Sequence, residues 1–299
     1  DHILVPLDGS RLAESVLPAA QTLARRFGSR VILLHVVEPH PPADVHGERH
    51  LATMAEARAY LAAIARAFEP EAVTVHVHGP DEGDVAALIA RHAAEFSAGL
   101  TVLCTHGSGG ARDLLYGSVA EQVLGQGTTP VLLIKPADHA ATFSCDRILV
   151  PLDGSGPSEA ALPAATVLAE TFGARLSLLT VVPTVATVPT DRAPAALLLP
   201  TATAASLEIE EEAAAAYLNG LVVRLRRKGL AVSGEIGRGD PALEVVEAAD
   251  RSAAGLLVMA THGRSGIGAV WAGSVASRIV ARCRRPMLLV RAPGVPQTP

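Results

Sequence analysis

Apolar and polar positions alternate between two periods along this chain. "HILVPL" near the start is a continuous apolar run, as expected for a strand covered on both faces. Leu12, Val16, Ala20, Leu23 and Phe27 follow at helical spacing, and Gly28 marks the stop. "RVILLHVV" predicts a second strand. A helix is expected from about His50 to Phe68, then a strand at "AVTVHVH". "EGDVAALIARHAAEF" reads as helix, "LTVLCT" as strand, "GSVAEQVLGQ" as helix and "PVLLIK" as a last strand. Five strands joined by crossover helices predict a parallel, doubly wound α/β sheet. Ligands of such sheets bind beyond the carboxyl ends of the strands.

The whole pattern then repeats. "DHILVPLDGS" opens the chain and "DRILVPLDGS" returns at residue 146, with nine of ten residues matching. "ESVLPAA" is answered by "EAALPAA", and the Thr-His-Gly at residue 105 by another at residue 261. That loop returns at a longer offset, so the second copy carries an insertion. Residues 183–205, rich in Pro, Thr and Ala, are the best place for it. A period this long means two whole domains, at 1–138 and 146–293, with a linker at 139–145 and a tail at 294–299.

Composition narrows the function. The 299 residues are 49% hydrophobic, 18% charged and 3% aromatic, which allows a sizeable aliphatic core. A net charge of -5 gives no reason to expect nucleic acid or an anionic membrane as partner. Cys104, Cys145 and Cys283 are too few and too odd in number for a disulfide framework. They suit a reducing cytosol. No apolar run is long enough to span a membrane, and no leader is visible before the first strand.

Chemistry concentrates at two strand ends in each copy. "VPLDGS" places Asp8 in the turn after strand one, with Ser10 as the predicted helix N-cap; Asp153 and Ser155 repeat this. Two readings of Asp8 stay open: a carboxylate that organises the turn, or one that accepts bonds from sugar hydroxyls. After strand four, Gly107 and Gly117-Ser118 bracket nine residues before a helix. That spacing suits either a phosphate cradle at a helix N-terminus or a well-capped helix after a glycine-rich loop. There is no P-loop and no dinucleotide fingerprint. His106 and His262 lack neighbours at ligand spacing. His76 and His78 share a strand face, but the second copy has Ser233 and Glu235 near there, so no metal site is expected. Cys104 corresponds to Ala260, which favours a small buried residue over a redox thiol. No catalytic set emerges.

Each copy resembles a universal stress protein domain, and the whole resembles the tandem members of that family. The resemblance rests on the strand-one Asp, both full copies, and the family's G-x-x-G-x(9)-G-[ST] pattern in "CTHGSGGARDLLYGS" and "ATHGRSGIGAVWAGS". Cys104 and Ala260 stand where the pattern has its first glycine. The resemblance implies an adenine-nucleotide alpha-hydrolase-like fold. Pro6 and Asp8, with Pro151 and Asp153, would lie by adenine and ribose. Val36 and Val181 would offer backbone groups to the adenine edge. Gly107, Gly117, Ser118 and Val119, and likewise Gly263, Gly273, Ser274 and Val275, would hold phosphates, with Arg112 and Arg264 in the loops. The implied ligand is ATP, alone or with Mg2+. Family members often associate through the last strand, which implies that "PVLLIK" and "PMLLVR" pair as an intramolecular pseudo-dimer, and that the tandem chain forms a homodimer. The expected function is a cytosolic stress-response switch that works by binding nucleotide. The alternatives are an interaction module without nucleotide, or a slow ATPase.

Overall fold

The computed structural model describes residues 2–41, 44–45, 47–69, 72–80, 84–105, 118–136, 143–189, 192–262 and 275–292. The chain divides into two compact units, Asp1–Phe143 and Ser144–Pro299.

In the first unit the elements run β1 (His2–Pro6), α1 (Arg11–Glu14), α2 (Leu17–Phe27), β2 (Arg30–Val36), β3 (Asp44–Val45), β4 (Glu48–Arg49), α3 (Met54–Ala65), β5 (Val73–His78), α4 (Val85–Glu95), β6 (Ala98–Cys104), α5 (Ser118–Gln126) and β7 (Val131–Ile134). The second unit runs β8 (Arg147–Pro151), α6 (Gly156–Glu159), α7 (Ala161–Phe172), β9 (Arg175–Val182), α8 (Ala193–Leu198), α9 (Pro200–Arg226), β10 (Ala231–Arg238), α10 (Pro241–Arg251), β11 (Leu256–His262), α11 (Val275–Arg282) and β12 (Met287–Ala292).

The first unit's five long strands are parallel in the order β7-β6-β1-β2-β5. The second unit's are parallel in the matching order β12-β11-β8-β9-β10. The order reverses direction around β1 and β8, so each sheet has a switch point beside its first strand. Leu4, Val5, Leu33 and Leu34 are buried in one sheet, and Leu149, Val150, Leu178 and Leu179 in the other. Continuous apolar strands are what two covered faces require.

Three local features differ from the sequence expectation. The helix after strand one is broken, because Pro18 in the first turn of α2 has no N–H to give the carbonyl of Glu14. Pro163 falls at the matching place in α7. The helix expected from about His50 begins later, at Met54. Thr53 caps it, accepting from the Glu56 N–H at 3.2 Å while Glu56 Oε2 accepts from the Thr53 N–H at 3.1 Å. A short antiparallel hairpin, β3–β4, precedes it. The inserted 183–205 segment supplies α8 and the start of α9, a 27-residue helix against 12 residues in α3. Its alanines favour helix, and Pro194 and Pro200 sit in first turns, where proline is tolerated.

Gly28 and Gly173 end α2 and α7 in the left-handed region, at φ 59° and 65°. Neither has an atom within 4 Å of an added Cβ. Alanine at either position therefore costs backbone strain alone, and chemical denaturation should show a loss of roughly 1 kcal/mol per site. Gly220, in the exposed interior of α9 with the same open space, should show the opposite sign. Gly220→Ala is expected to raise stability by about 0.5–1 kcal/mol.

Candidate functional site

The β1–α1 turn is built around Asp8. Its Oδ1 accepts from the Ser10 N–H at 2.9 Å and from the Ser10 hydroxyl at 2.7 Å. Ser10 Oγ in turn accepts from the Ala13 N–H at 3.1 Å, capping α1 as expected. The second unit repeats each bond: Ser155 donates from N–H and hydroxyl to Asp153 Oδ1, and Ser155 Oγ accepts from the Ser158 N–H. Gly9 and Gly154 hold φ of 96° and 81° to let the chain double back. The carboxylates thus organise this turn, which is one of the two readings left open.

A second recurrent tie lies beside the turn. The Tyr60 hydroxyl, from α3, donates to Glu14 Oε1 at 3.1 Å; the Tyr217 hydroxyl, from α9, donates to Glu159 Oε1 at 3.1 Å. Burial, then the glutamate charge, pushes both phenols above their usual range, so both stay protonated donors. Sequence reading missed this pair. Its one visible signal is that Glu14 and Glu159 stand at the same place before "LPAA" in both copies.

At the carboxyl edge of the second sheet lies a cavity of about 290 Å³. Its walls include Pro151 at the end of β8 and Asp153 just after it, Val181 from β9, Met259, Ala260 and Thr261 from β11, and Val275 and Ile279 of α11. Five residues singled out from sequence, Pro151, Asp153, Val181, Ala260 and Val275, are thereby brought together from four separate elements. Met259, Thr261 and Ile279 were not singled out. Gly263, Gly273 and Ser274 lie outside the described residues, as does Arg264.

In the first unit, Pro6, Asp8, Val36, Cys104 and Val119 take the matching places at strand and helix ends. Gly107, Gly117, His106 and Arg112 lie outside the described residues. Ser118 is the first residue of α5. Burial pushes the Cys104 thiol up to about 11, so it stays protonated, and the Ser15 hydroxyl donates to its sulfur at 3.5 Å. That environment is not one of a redox thiolate. This unit also fills space differently. Leu51 lies against the turn, with its Cγ 2.8 Å from where a Cβ on Gly9 would be, whereas nothing approaches the corresponding point on Gly154. Glu48 of β4 accepts from the Arg11 N–H at 3.1 Å. His35, buried, holds its Nδ1 2.7 Å from the Leu7 carbonyl, and burial lowers its pKa, so a neutral imidazole donates there. Thr180 occupies its place in the second unit.

Two doubly wound domains in tandem, each with an Asp-Gly-Ser turn at the switch point, define the class of protein. The sequence pattern of the universal stress protein family matches residues 1–135 and 145–291. The chain belongs to the universal stress protein family. A universal stress protein of Mycolicibacterium smegmatis is 28% identical over 301 residues, spanning 97% of this chain and 96% of the relative. The crystal structure of a universal stress protein from Archaeoglobus fulgidus superposes with a TM-score of 0.71 at 18% identity, over 97% of this chain and 98% of that one. A functionally unknown protein from Pseudomonas aeruginosa gives 0.68 at 16% identity, over 97% and 92%. At such identities the two structures speak for the fold alone. Among the described residues, no helix is long and apolar enough to cross a membrane.

Because the two turns share backbone but not surroundings, they separate strain from crowding. Both Gly9→Ala and Gly154→Ala strain a positive φ, but only the first meets Leu51. Gly9→Ala should therefore cost about 1–3 kcal/mol more than Gly154→Ala in chemical denaturation. Adding Leu51→Ala should remove most of that excess.

Proposed function

We propose that this protein binds an adenine nucleotide, ATP, at the carboxyl edge of its sheets, and that binding is its work in the stress response. One observation carries the reading. Pro151, Asp153, Val181, Ala260 and Val275, picked out by resemblance to nucleotide-binding members, line a single cavity in the second unit. Its volume of about 290 Å³ stands near the lower end of small-ligand pockets, roughly 300–1,000 Å³, and suits the nucleoside portion. The donor set fits as well. Pro151, Val181 and Met259 offer apolar surface to a purine, and Asp153 offers a carboxylate to ribose hydroxyls. Val275 opens α11, whose first N–H groups favour an anion. By the family pattern, Gly263, Gly273 and Ser274 would complete the phosphate end, and Pro6, Asp8, Val36, Cys104, Gly107, Gly117, Ser118 and Val119 would form the equivalent site in the first unit.

A ligand that binds only the folded protein stabilises it by mass action, by about 2.7 kcal/mol at a hundred times its Kd. That gives a binding protein a direct way to report nucleotide level.

Calorimetric titration of the full chain with ATP should give measurable heat, and millimolar ATP should raise Tm. Ala260→Phe fills the cavity wall and should remove the second unit's share of both signals. A circular dichroism spectrum unchanged from wild type confirms that this variant is folded. If ATP gives neither heat nor a Tm shift, nucleotide binding is wrong and the interaction-module alternative stands.

A further inference from the structure

Among the described residues, the first unit holds a cluster that its sister unit lacks. His76 and His78 project from one face of the edge strand β5, and α4 brings His92 against them. The three rings offer nitrogens that all lie within 4.8 Å of one another. His92 is 4% exposed, and its Nε2 stands 3.0 Å from His78 Nδ1. Its other nitrogen, Nδ1, lies 2.8 Å from Glu95 Oε2. Phe96 stacks on His92 at 13° and meets His76 edge-on, limiting how either ring can turn.

We propose that His76, His78 and His92 form a binding site for one divalent transition-metal cation of the zinc class. Neutral imidazole is the ligand such ions take most often. A tetrahedral zinc with Zn–N bonds of about 2.0–2.1 Å sets its ligand nitrogens roughly 3.4 Å apart. The observed nitrogens bracket that spacing, so small ring rotations bring three of them onto one ion. Glu95 supplies the second feature of such sites. A carboxylate beside Nδ1 favours the proton there and turns the Nε2 lone pair toward the cluster, the arrangement that commonly orients a ligating histidine. A fourth position stays open to water.

A bland account is available, since His78 can donate from Nδ1 to His92 Nε2. It explains two rings and does not involve the third, His76, which packs edge-on against His92 and Phe96. The sister unit shows that the fold does not demand imidazoles. At the positions of His76, His78 and His92 it has Glu235, Gly237 and Ala248. Arg251 stands where the first unit has Glu95, and it ties α10 to the edge strand through Glu235 at 3.0 Å. The same junction between helix and edge strand is bridged by an ion pair in one unit. In the other, a bound cation would bridge it. Sequence alone weighed against a metal because the second copy has Ser233 and Glu235 near His76 and His78; the third histidine comes from a helix 14 residues beyond His78.

The inference does not rest on nucleotide binding, and its test is separate. Full-length protein without a polyhistidine tag is stripped with EDTA and titrated with Zn2+ against a chromophoric chelator. One equivalent should bind with micromolar or tighter affinity and raise Tm. Co2+ should give the strong visible absorption of a four-coordinate site. His76→Gln and His92→Ala should each abolish the one-equivalent phase, and Glu95→Gln should weaken it by about tenfold. Should His92→Ala fail to fold, the half-buried His76→Gln carries the test. His40→Ala, an exposed histidine outside the cluster, should change nothing. Absence of a one-equivalent phase, or its survival in His76→Gln, would overturn the proposal.

Discussion

Parallel strands cannot be joined by tight hairpins, and everything else in each unit follows from that constraint. Every strand of the parallel sheet must be reached by a crossover, so every carboxyl strand end arrives at the same edge of that sheet. Residues far apart in sequence, such as Asp153 and Ala260, become neighbours there without any long-range interaction designed to join them. The same rule buries both faces of the central strands, which is why the core is aliphatic and the ends of those strands carry the polar turns. The Asp-Gly-Ser turn is the point at which this constraint meets chemistry. One carboxylate oxygen holds the turn, and the side chain stands at the carboxyl edge of the sheet.

How much of this was legible depends on the range of the interaction. Ser10 as a cap and Gly28 as a stop are local, set by residues within one turn, and the structure places both as the sequence indicates. The doubly wound sheet was legible because its strands are continuous apolar runs and the pattern recurs. The helix break at Pro18 is also local, and a stricter reading of proline would have found it. The β3–β4 hairpin lacks alternating apolar positions, and the length of α9 was masked by the prolines and threonines at its start. The cavity lining was legible where a motif named its residues, at Asp153, Ala260 and Val275. It was not legible at Tyr60, which meets Glu14 across 46 positions, or at His92, which meets His78 across an intervening loop. No periodicity encodes such pairs, because they depend on how a helix rotates over a sheet.

The duplication supplies an internal control that a single domain would lack. The features shared by both copies are the Asp–Ser turn, the left-handed glycines, and the tyrosine that ties α3 to α1 in one unit and α9 to α6 in the other. The features that differ sit where the backbone is indifferent. Leu51 crowds one turn and nothing crowds the other. Thr180 replaces His35, and Ala260 replaces Cys104. Where the fold only requires that a helix be tied to an edge strand, one copy uses Arg251 with Glu235 and the other gathers imidazoles around Glu95.

That contrast bears on what each unit is for. An exposed ion pair contributes little to stability, about 0–1 kcal/mol, so the Arg251 tie is a modest one. Three imidazoles packed against one another are a poorer solution for stability alone, because burial of polar rings costs energy that such contacts only partly return. The proposed cation would offset that cost, since an ion bound only by the folded state stabilises that state by mass action. The same reasoning applies at the carboxyl edge. A cavity with largely apolar walls forfeits packing that bulkier residues would recover, and under the proposed function a bound nucleotide would restore those contacts. If both proposals hold, the feature that weakens the empty protein in each place is the one that would make its stability depend on a ligand.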